Sequence, residues 1–214
     1  MSKYNLIVFD WDGTLMDSQA RIITSMQAAI AESGIEPRTS DQIRNIIGLG
    51  LEQAIIALYP ELSAPQNADL ANCYRHHFFD ANALASPLFP GAIELLQNLH
   101  SKDYSLAVAT GKGRRGLNEA LEQNNLAHFF HSTRCAEETA SKPNPLMLQE
   151  IMEELDLSPE QTVMIGDSEY DLEMANNAKV ASIAVSFGVH DKSRLLQYKP
   201  LTCIDSLSEL SQFI

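Results

Sequence analysis

Apolar residues recur along this chain in two rhythms. Leu6-Ile7-Val8-Phe9 is a continuous, partly β-branched run that stops abruptly at Asp10, the pattern of a strand covered on both faces in a parallel sheet. Ser105 to Ala109, Thr162 to Ile165 and Ser182 to Val185 repeat it. Between them the spacing becomes helical. Ile93, Leu95, Leu96 and Leu99 fall within residues 91–101, Leu117, Ala120 and Leu121 within 113–123, and Leu146, Leu148, Ile151, Met152 and Leu155 within 145–156. Strands alternating with helices predict right-handed crossovers and an open α/β fold built on a parallel sheet. Ligands bind such sheets beyond the carboxyl ends of the strands, and the first three runs are each followed at once by small, polar or acidic residues.

Residues 18–80 carry helical patterns and no convincing strand. Ile22, Met26 and Ile30 stand at i, i+4 and i+8, with Gly34 as a stop and Pro37 just beyond. Ser40 is expected to cap a second helix bearing Ile43, Ile46 and Ile47. Gly48-Leu49-Gly50 interrupts, Leu51 to Tyr59 continues until Pro60, and a last helix is expected from roughly Ala68 to Asp80. This is an all-helical insertion directly after the first strand.

A chain of 214 residues with 45% hydrophobic and 20% charged residues can bury a sizeable core. Its formal net charge of −13 disfavours nucleic acid and anionic membranes as partners. An anionic ligand would therefore need local positive charge or a metal. The three cysteines, Cys73, Cys135 and Cys203, lie far apart and form neither a disulfide framework nor a paired zinc motif, which suits a cytoplasmic protein. Met1-Ser2-Lys3-Tyr4-Asn5 leads straight into the first strand without the apolar stretch of a secretory signal. No run is long enough to predict a transmembrane helix.

The chemistry gathers at the strand ends. In Asp10-Trp11-Asp12-Gly13-Thr14, two carboxylates one residue apart can approach one reacting centre if the backbone turns at Gly13, one as nucleophile and the other moving a proton. An acidic helix-capping turn would use the same residues. Asp167 and Asp171, after the third run, offer hard oxygen ligands of the kind that suit Mg²⁺. Thr110-Gly111 can form an anion cradle at a helix start, and Lys142, stiffened by Pro143 and Pro145, can supply a fixed cation. Trp11 is expected to pack beside the motif turn, and Phe78, Phe79, Phe129 and Phe130 to be packing aromatics. His76 and His77 point about 100° apart on a helix, which argues against a shared metal. A carboxylate pair, an anion cradle, a fixed cation and a metal carboxylate are together the parts of a phosphoryl-transfer site.

In order along the chain, Asp10-x-Asp12-Gly13-Thr14, Thr110-Gly111, Lys142-Pro143 and Gly166-Asp167-x3-Asp171 resemble the motifs of the haloacid dehalogenase-like phosphatases. The resemblance is to the branch similar to phosphoglycolate phosphatase and β-phosphoglucomutase, over essentially the whole chain. It implies a Rossmann-like catalytic core of residues 1–16 and 84–214, with a helical cap domain, 17–83, inserted after the first strand. It also implies that Asp10 is the nucleophile, forming an aspartyl-phosphate, while Asp12 protonates the leaving alcohol and then activates water. Thr110 and Gly111 would hold phosphoryl oxygens and Lys142 would neutralise charge. Mg²⁺ would be bound by Asp10, the Asp12 backbone carbonyl and Asp167, with Asp171 in support. Dehalogenases of the superfamily lack an acid at the position of Asp12, so dehalogenation is disfavoured.

The cap would select the substrate, with Arg44 meeting a second anionic group and Gly48 letting backbone approach, and it would move on hinges near Met16 to Ser18 and Asn82 to Pro87. The expected activity is Mg²⁺-dependent hydrolysis of a small phosphorylated metabolite by a monomer or homodimer. Phosphoglycolate, a sugar phosphate, pyrophosphate and a nucleotide are all open as substrates. A sugar-phosphate mutase on the same fold and a non-catalytic phosphometabolite-binding module are the alternatives.

Overall fold

The computed structural model describes residues 4–80 and 82–214; the lead-in Met1-Ser2-Lys3 and Ala81 lie outside the described residues. The first strand, β1 (Leu6–Phe9), is followed by four helices, α1 (Gln19–Glu32), α2 (Ser40–Arg44), α3 (Leu51–Leu58) and α4 (Ala64–Phe78). Strands and helices then alternate: α5 (Ala92–Ser101), β2 (Ser105–Thr110), α6 (Arg114–Gln123), β3 (Ser132–Cys135), α7 (Leu146–Glu154), β4 (Thr162–Gly166), α8 (Glu169–Asn177), β5 (Ala181–Val185), α9 (Lys192–Leu195) and β6 (Cys203–Ile204). All six strands are parallel, in the order β3-β2-β1-β4-β5-β6. The order reverses between β1 and β4, which makes their carboxyl ends the expected ligand site.

The continuous apolar runs supply both faces of the sheet. Ile7, Phe9, Val108 and Ile165 pack on one side with Leu95, Leu96 and Leu99 of α5 and Leu117 of α6. Leu6, Val8, Ala107 and Met164 pack on the other with Leu148 and Ile151 of α7 and Met174 of α8. The edge strands β3 and β6 were not expected from the apolar pattern. An edge strand has one neighbour and need not be apolar throughout: Arg134 of β3 instead pairs with Glu150 of α7 at 2.8 Å.

Helices α1 to α4 pack among themselves through Met26, Ile30, Ile43, Ile55, Tyr59 and Leu70. Two of their starts differ from expectation. The cap of α2 is Thr39 rather than Ser40, because Thr39 and Gln42 satisfy each other's backbone N–H groups. The helix ends at Arg44, so Ile46 and Ile47 belong to the following turn. The last helix begins at Ala64 rather than near Ala68, since Gln66 Oε1 accepts from the Ser63 N–H and Pro65 fits the first turn. The chain enters and leaves this helical segment side by side, with Asp17 N donating to Pro87 O at 2.8 Å and Phe89 N to Leu15 O at 2.9 Å. Among the described residues no helix is long and apolar enough to cross a membrane.

Packing on the sheet sets a stability expectation. Leu96, fully buried, lost to alanine should cost about 2–5 kcal/mol in urea unfolding. Ile56, 51% exposed on α3, should cost less than about 0.5 kcal/mol by the same replacement.

Candidate active site

The strand ends carry the polar residues to one place. Asp10 follows β1, and its N–H donates to Ile165 O of β4 at 2.9 Å, so the ladder runs one residue past the strand and fixes the Asp10 backbone at the point of reversal. Thr110 ends β2, Asp167 follows β4, and Asp171 lies in the first turn of α8. Lys142 comes from the segment between β3 and α7, with a cis bond to Pro143.

Lys142 is completely buried, its Nζ 2.7 Å from Asp10 Oδ1 and 2.6 Å from Asp171 Oδ1. Beyond these ion pairs, Asp10 Oδ1, Asp171 Oδ1 and Lys142 Nζ have no further hydrogen-bond partner among the described residues, and Asp10 Oδ2 is buried with no partner there. Asp171 Oδ2 is held by the Ser168 hydroxyl at 2.6 Å and its N–H at 3.0 Å. Asp167 is fixed at both oxygens, by the Thr14 hydroxyl at 2.9 Å and the Val189 N–H at 2.8 Å. Glycine makes room for this arrangement: a Cβ on Gly13 or Gly188 would stand 2.1 or 2.2 Å from Asp167 Oδ2, and one on Gly166 would stand 2.3 Å from Asp171 Cβ.

Burial raises the Asp10 carboxyl well above its ordinary range; Lys142 opposes this, and Asp171 and Asp167 add to it. Burial, with Asp171 beside it, pushes Asp167 up to about 7 against its two hydrogen bonds and Lys142. Lys142 is raised: burial works against its charge, but Asp10 and Asp171 outweigh that. Three buried carboxylates thus face one ammonium. One oxygen each of Asp10, Asp167 and Asp171 lies within 4.8 Å of the others. This donor set fits a small, hard divalent cation, whose charge would balance the two uncompensated negative charges.

A cavity of about 640 Å³ opens beside this cluster, lined by Asp10, Asp12, Thr110, Gly111 and Gly48 among others. Asp12 is turned away from the other carboxylates. It accepts from the Ser18 hydroxyl at 2.6 Å and from Lys112 Nζ at 2.9 and 3.2 Å. Thr110 Oγ1 accepts from the Lys112 N–H at 3.1 Å. Gly111 is required by a neighbouring backbone, because a Cβ there would lie 2.4 Å from Leu49 O and 2.6 Å from Gly48 O. Gly48, at φ +107°, packs against Ser168 and Tyr170. The structure does not bring Arg44 to the cavity: it pairs with Asp41 one turn earlier on the same helix.

Lys112, Ser18, Thr14, Gly188 and Val189 are contributors that the strand-end pattern missed. Thr14, inside Asp10-x-Asp12-Gly13-Thr14, and Lys112, inside Thr110-Gly111-Lys112-Gly113, stood within sequence signals but were given no role of their own. Trp11 is buried, with its indole N–H directed at Met16 Sδ. His77 turns to Glu32, 2.7 Å away, at the surface.

A parallel sheet with its point of reversal occupied by buried carboxylates and one lysine defines an α/β enzyme that handles charge at its strand ends. The family model of the haloacid dehalogenase-like hydrolases matches residues 7–185, and the chain belongs to that family. It is similar to a phosphoglycolate phosphatase of Agrobacterium fabrum, 31% identical over 96% of this chain and 90% of that one. It is also similar to the pyrophosphatase PpaX of Bacillus mycoides, 27% identical over 97% and 95%. Among solved structures, a haloacid dehalogenase-like family hydrolase of Streptococcus pneumoniae superposes with a TM-score of 0.86 at 26% identity, covering 100% of this chain and 99% of that one.

The raised carboxyls set the pH dependence of the metal-free protein. Folded Asp10 and Asp167 keep protons that the unfolded chain releases, so their contribution is complete below the ordinary aspartate range and is lost as pH rises through about 7. In EDTA, Tm should therefore fall between about pH 5 and about pH 8, and Asp167→Asn should flatten that fall. A saturating divalent cation should raise Tm most at the upper end, and Asp167→Asn should remove most of that gain.

Proposed function

We propose that this phosphatase hydrolyses a phosphomonoester metabolite in the cytoplasm through an aspartyl-phosphate on Asp10, with Mg²⁺ as cofactor. One observation carries the reading. Asp10 lines the cavity from the sheet's point of reversal, with Lys142 Nζ 2.7 Å from Oδ1 and Oδ2 buried with no partner among the described residues. A structural aspartate buried this deeply would have its oxygens satisfied.

The Asp10 oxygen attacks phosphorus, forming an O–P bond as the bond from phosphorus to the leaving oxygen breaks. Asp12, on the same turn, gives the departing alkoxide its proton. It then takes one from the water that attacks the aspartyl-phosphate, which releases inorganic phosphate and restores Asp10. Ser18 and Lys112 aim the Asp12 carboxylate between these transfers. Thr110 and the Gly111 N–H receive phosphoryl oxygens, and Lys142 lowers the repulsion between a carboxylate nucleophile and a phosphate dianion. Asp10, the Asp12 carbonyl and Asp167, with Asp171 in support, would hold Mg²⁺, which would supply positive charge against the developing negative charge of the reaction. The helical segment 17–83 serves as the cap, and its paired connections at Asp17 and Pro87 support a hinge there. The three free thiols accord with a reducing compartment.

Asp10→Asn is expected to reduce phosphate release to background while leaving the circular dichroism spectrum unchanged; substantial turnover in that variant rejects the mechanism. Asp12→Asn should lower kcat by about 10²–10⁴, with the larger loss for substrates whose leaving alcohol is more basic.

A further inference from the structure

Resting on this phosphatase reading, we infer that the released alcohol is large, uncharged and ring-bearing, and that Phe78 and Phe79 at the end of α4 recognise its ring. Nucleoside monophosphates and aryl phosphates share this chemistry.

The size of the cavity comes first. About 640 Å³ lies in the range of roughly 300–1,000 Å³ that encloses ligands with several rings, whereas phosphate with a two-carbon acid would leave most of it to water. The wall comes second. Opposite the carboxylates the helical segment presents Ile22, Met26, Ile47, Tyr74, Phe78 and Phe79. The Phe78 and Phe79 rings meet edge to face at 5.4 Å, and Tyr74 and Phe78 lie 5.6 Å apart. Phe79 is only half-buried although it lies against the cavity. Burial and the Asp12 carboxylate hold the Tyr74 phenol in its neutral form, so that it presents a polar O–H within an apolar wall.

The cations argue most strongly against a substrate with a second acidic group. Such a group, leaving water for this wall, needs a fixed positive partner. Lys112, the buried cation of the lining, is held by both oxygens of Asp12. Arg115 is 70% exposed, pairs with Glu119 and lies over the Phe79 ring at 4.0 Å. Arg75 is exposed and bonded to Asn72. Arg44 is directed at Asp41. Glu52 and Glu137 at the rim would repel a second anion.

Phosphate release with Mg²⁺ is measured for uridine 5′-monophosphate, 1-naphthyl phosphate and phosphoglycolate, in the unaltered protein and in Phe79→Ala, with Phe78→Leu as a second variant that keeps an apolar side chain. The expected result is that kcat/KM for at least one ring-bearing substrate exceeds that for phosphoglycolate by tenfold or more. The preferred arm identifies a nucleoside or an aryl alcohol. Phe79→Ala should shrink that ratio by about 5- to 150-fold, the loss of one ring-on-ring contact, and Phe78→Leu should shrink it in the same direction. Preference for phosphoglycolate, or a ratio unmoved by either variant, overturns the inference and leaves the phosphatase reading standing. Absence of phosphate release from every substrate, or equal release by Asp10→Asn, overturns both.

Discussion

A lysine ammonium without an exposed atom, set between two carboxylates as deeply buried as itself, constrains everything else in the protein. Removing an ion from water costs several kcal/mol even after relaxation, and attraction repays this only in good geometry. Here the compensation is incomplete: one ammonium meets Asp10 and Asp171 at 2.7 and 2.6 Å, and Asp167 adds a third acid. The sheet must hold the groups together against this tension. It does so with buried apolar strands on both faces and with backbone donors fixed by the fold, from Val189 to Asp167 and from Ser168 to Asp171. Three glycines, at 13, 166 and 188, allow the carboxylates to be enclosed at all. The negative charge left uncompensated at the cluster is what a divalent cation would balance.

The helical segment is joined to this cluster through backbone rather than through charge. Residues 48–50 lie against three separate core positions: the Gly48 and Leu49 carbonyls against Gly111, Gly48 against Ser168, and the Gly50 N–H on the Ser141 hydroxyl at 2.8 Å. Those positions neighbour Thr110, Asp167 and Lys142 in sequence. A segment that touches all three motif loops is fixed by their geometry, and glycine is needed at 111 and 48, where a Cβ would stand 2.4 Å from Leu49 O and 2.8 Å from Ser168 Oγ. The glycines that look like a flexible loop in sequence are therefore packing residues in the fold.

The central strands, the helices on their faces and the acidic strand ends were legible in the sequence because each is dictated by local pattern: a continuous apolar run needs cover on both sides, and Asp10 or Asp167 stands where such a run stops. Ser132-Thr133-Arg134-Cys135 was not legible as a strand, since at the sheet edge Arg134 finds its partners on α7 instead of in a core. The start of α4 was hidden because its signal is a capping pair, Ser63 and Gln66, in a stretch with no apolar rhythm. Arg44 was expected to meet an anion because the family resemblance places substrate-selecting loops in the cap. The nearer carboxylate, Asp41 on the same helical face, satisfies it first. Ser18, Gly188 and Val189 carry no local mark of their roles, which come from tertiary approach to carboxylates far away in the chain.

Lys112 joins the two halves of this picture. Its backbone N–H bonds Thr110, its ammonium holds Asp12, and the same ammonium lies 4.8 Å from the centre of the Phe78 ring. One side chain thus touches the Thr110 loop, the Asp12 carboxylate and the apolar wall. A group entering against Phe78 must displace water or the lysine from that ring face. In either case the ammonium's balance between ring and carboxylate changes, because cation–π attraction of about 0.5–2 kcal/mol competes with a desolvated ion pair. Occupancy of the wall is therefore felt at Asp12 directly, without any movement of the sheet. In the proposed mechanism, recognition of the leaving alcohol and readiness of the acid that protonates it would be coupled by contact rather than by long-range rearrangement.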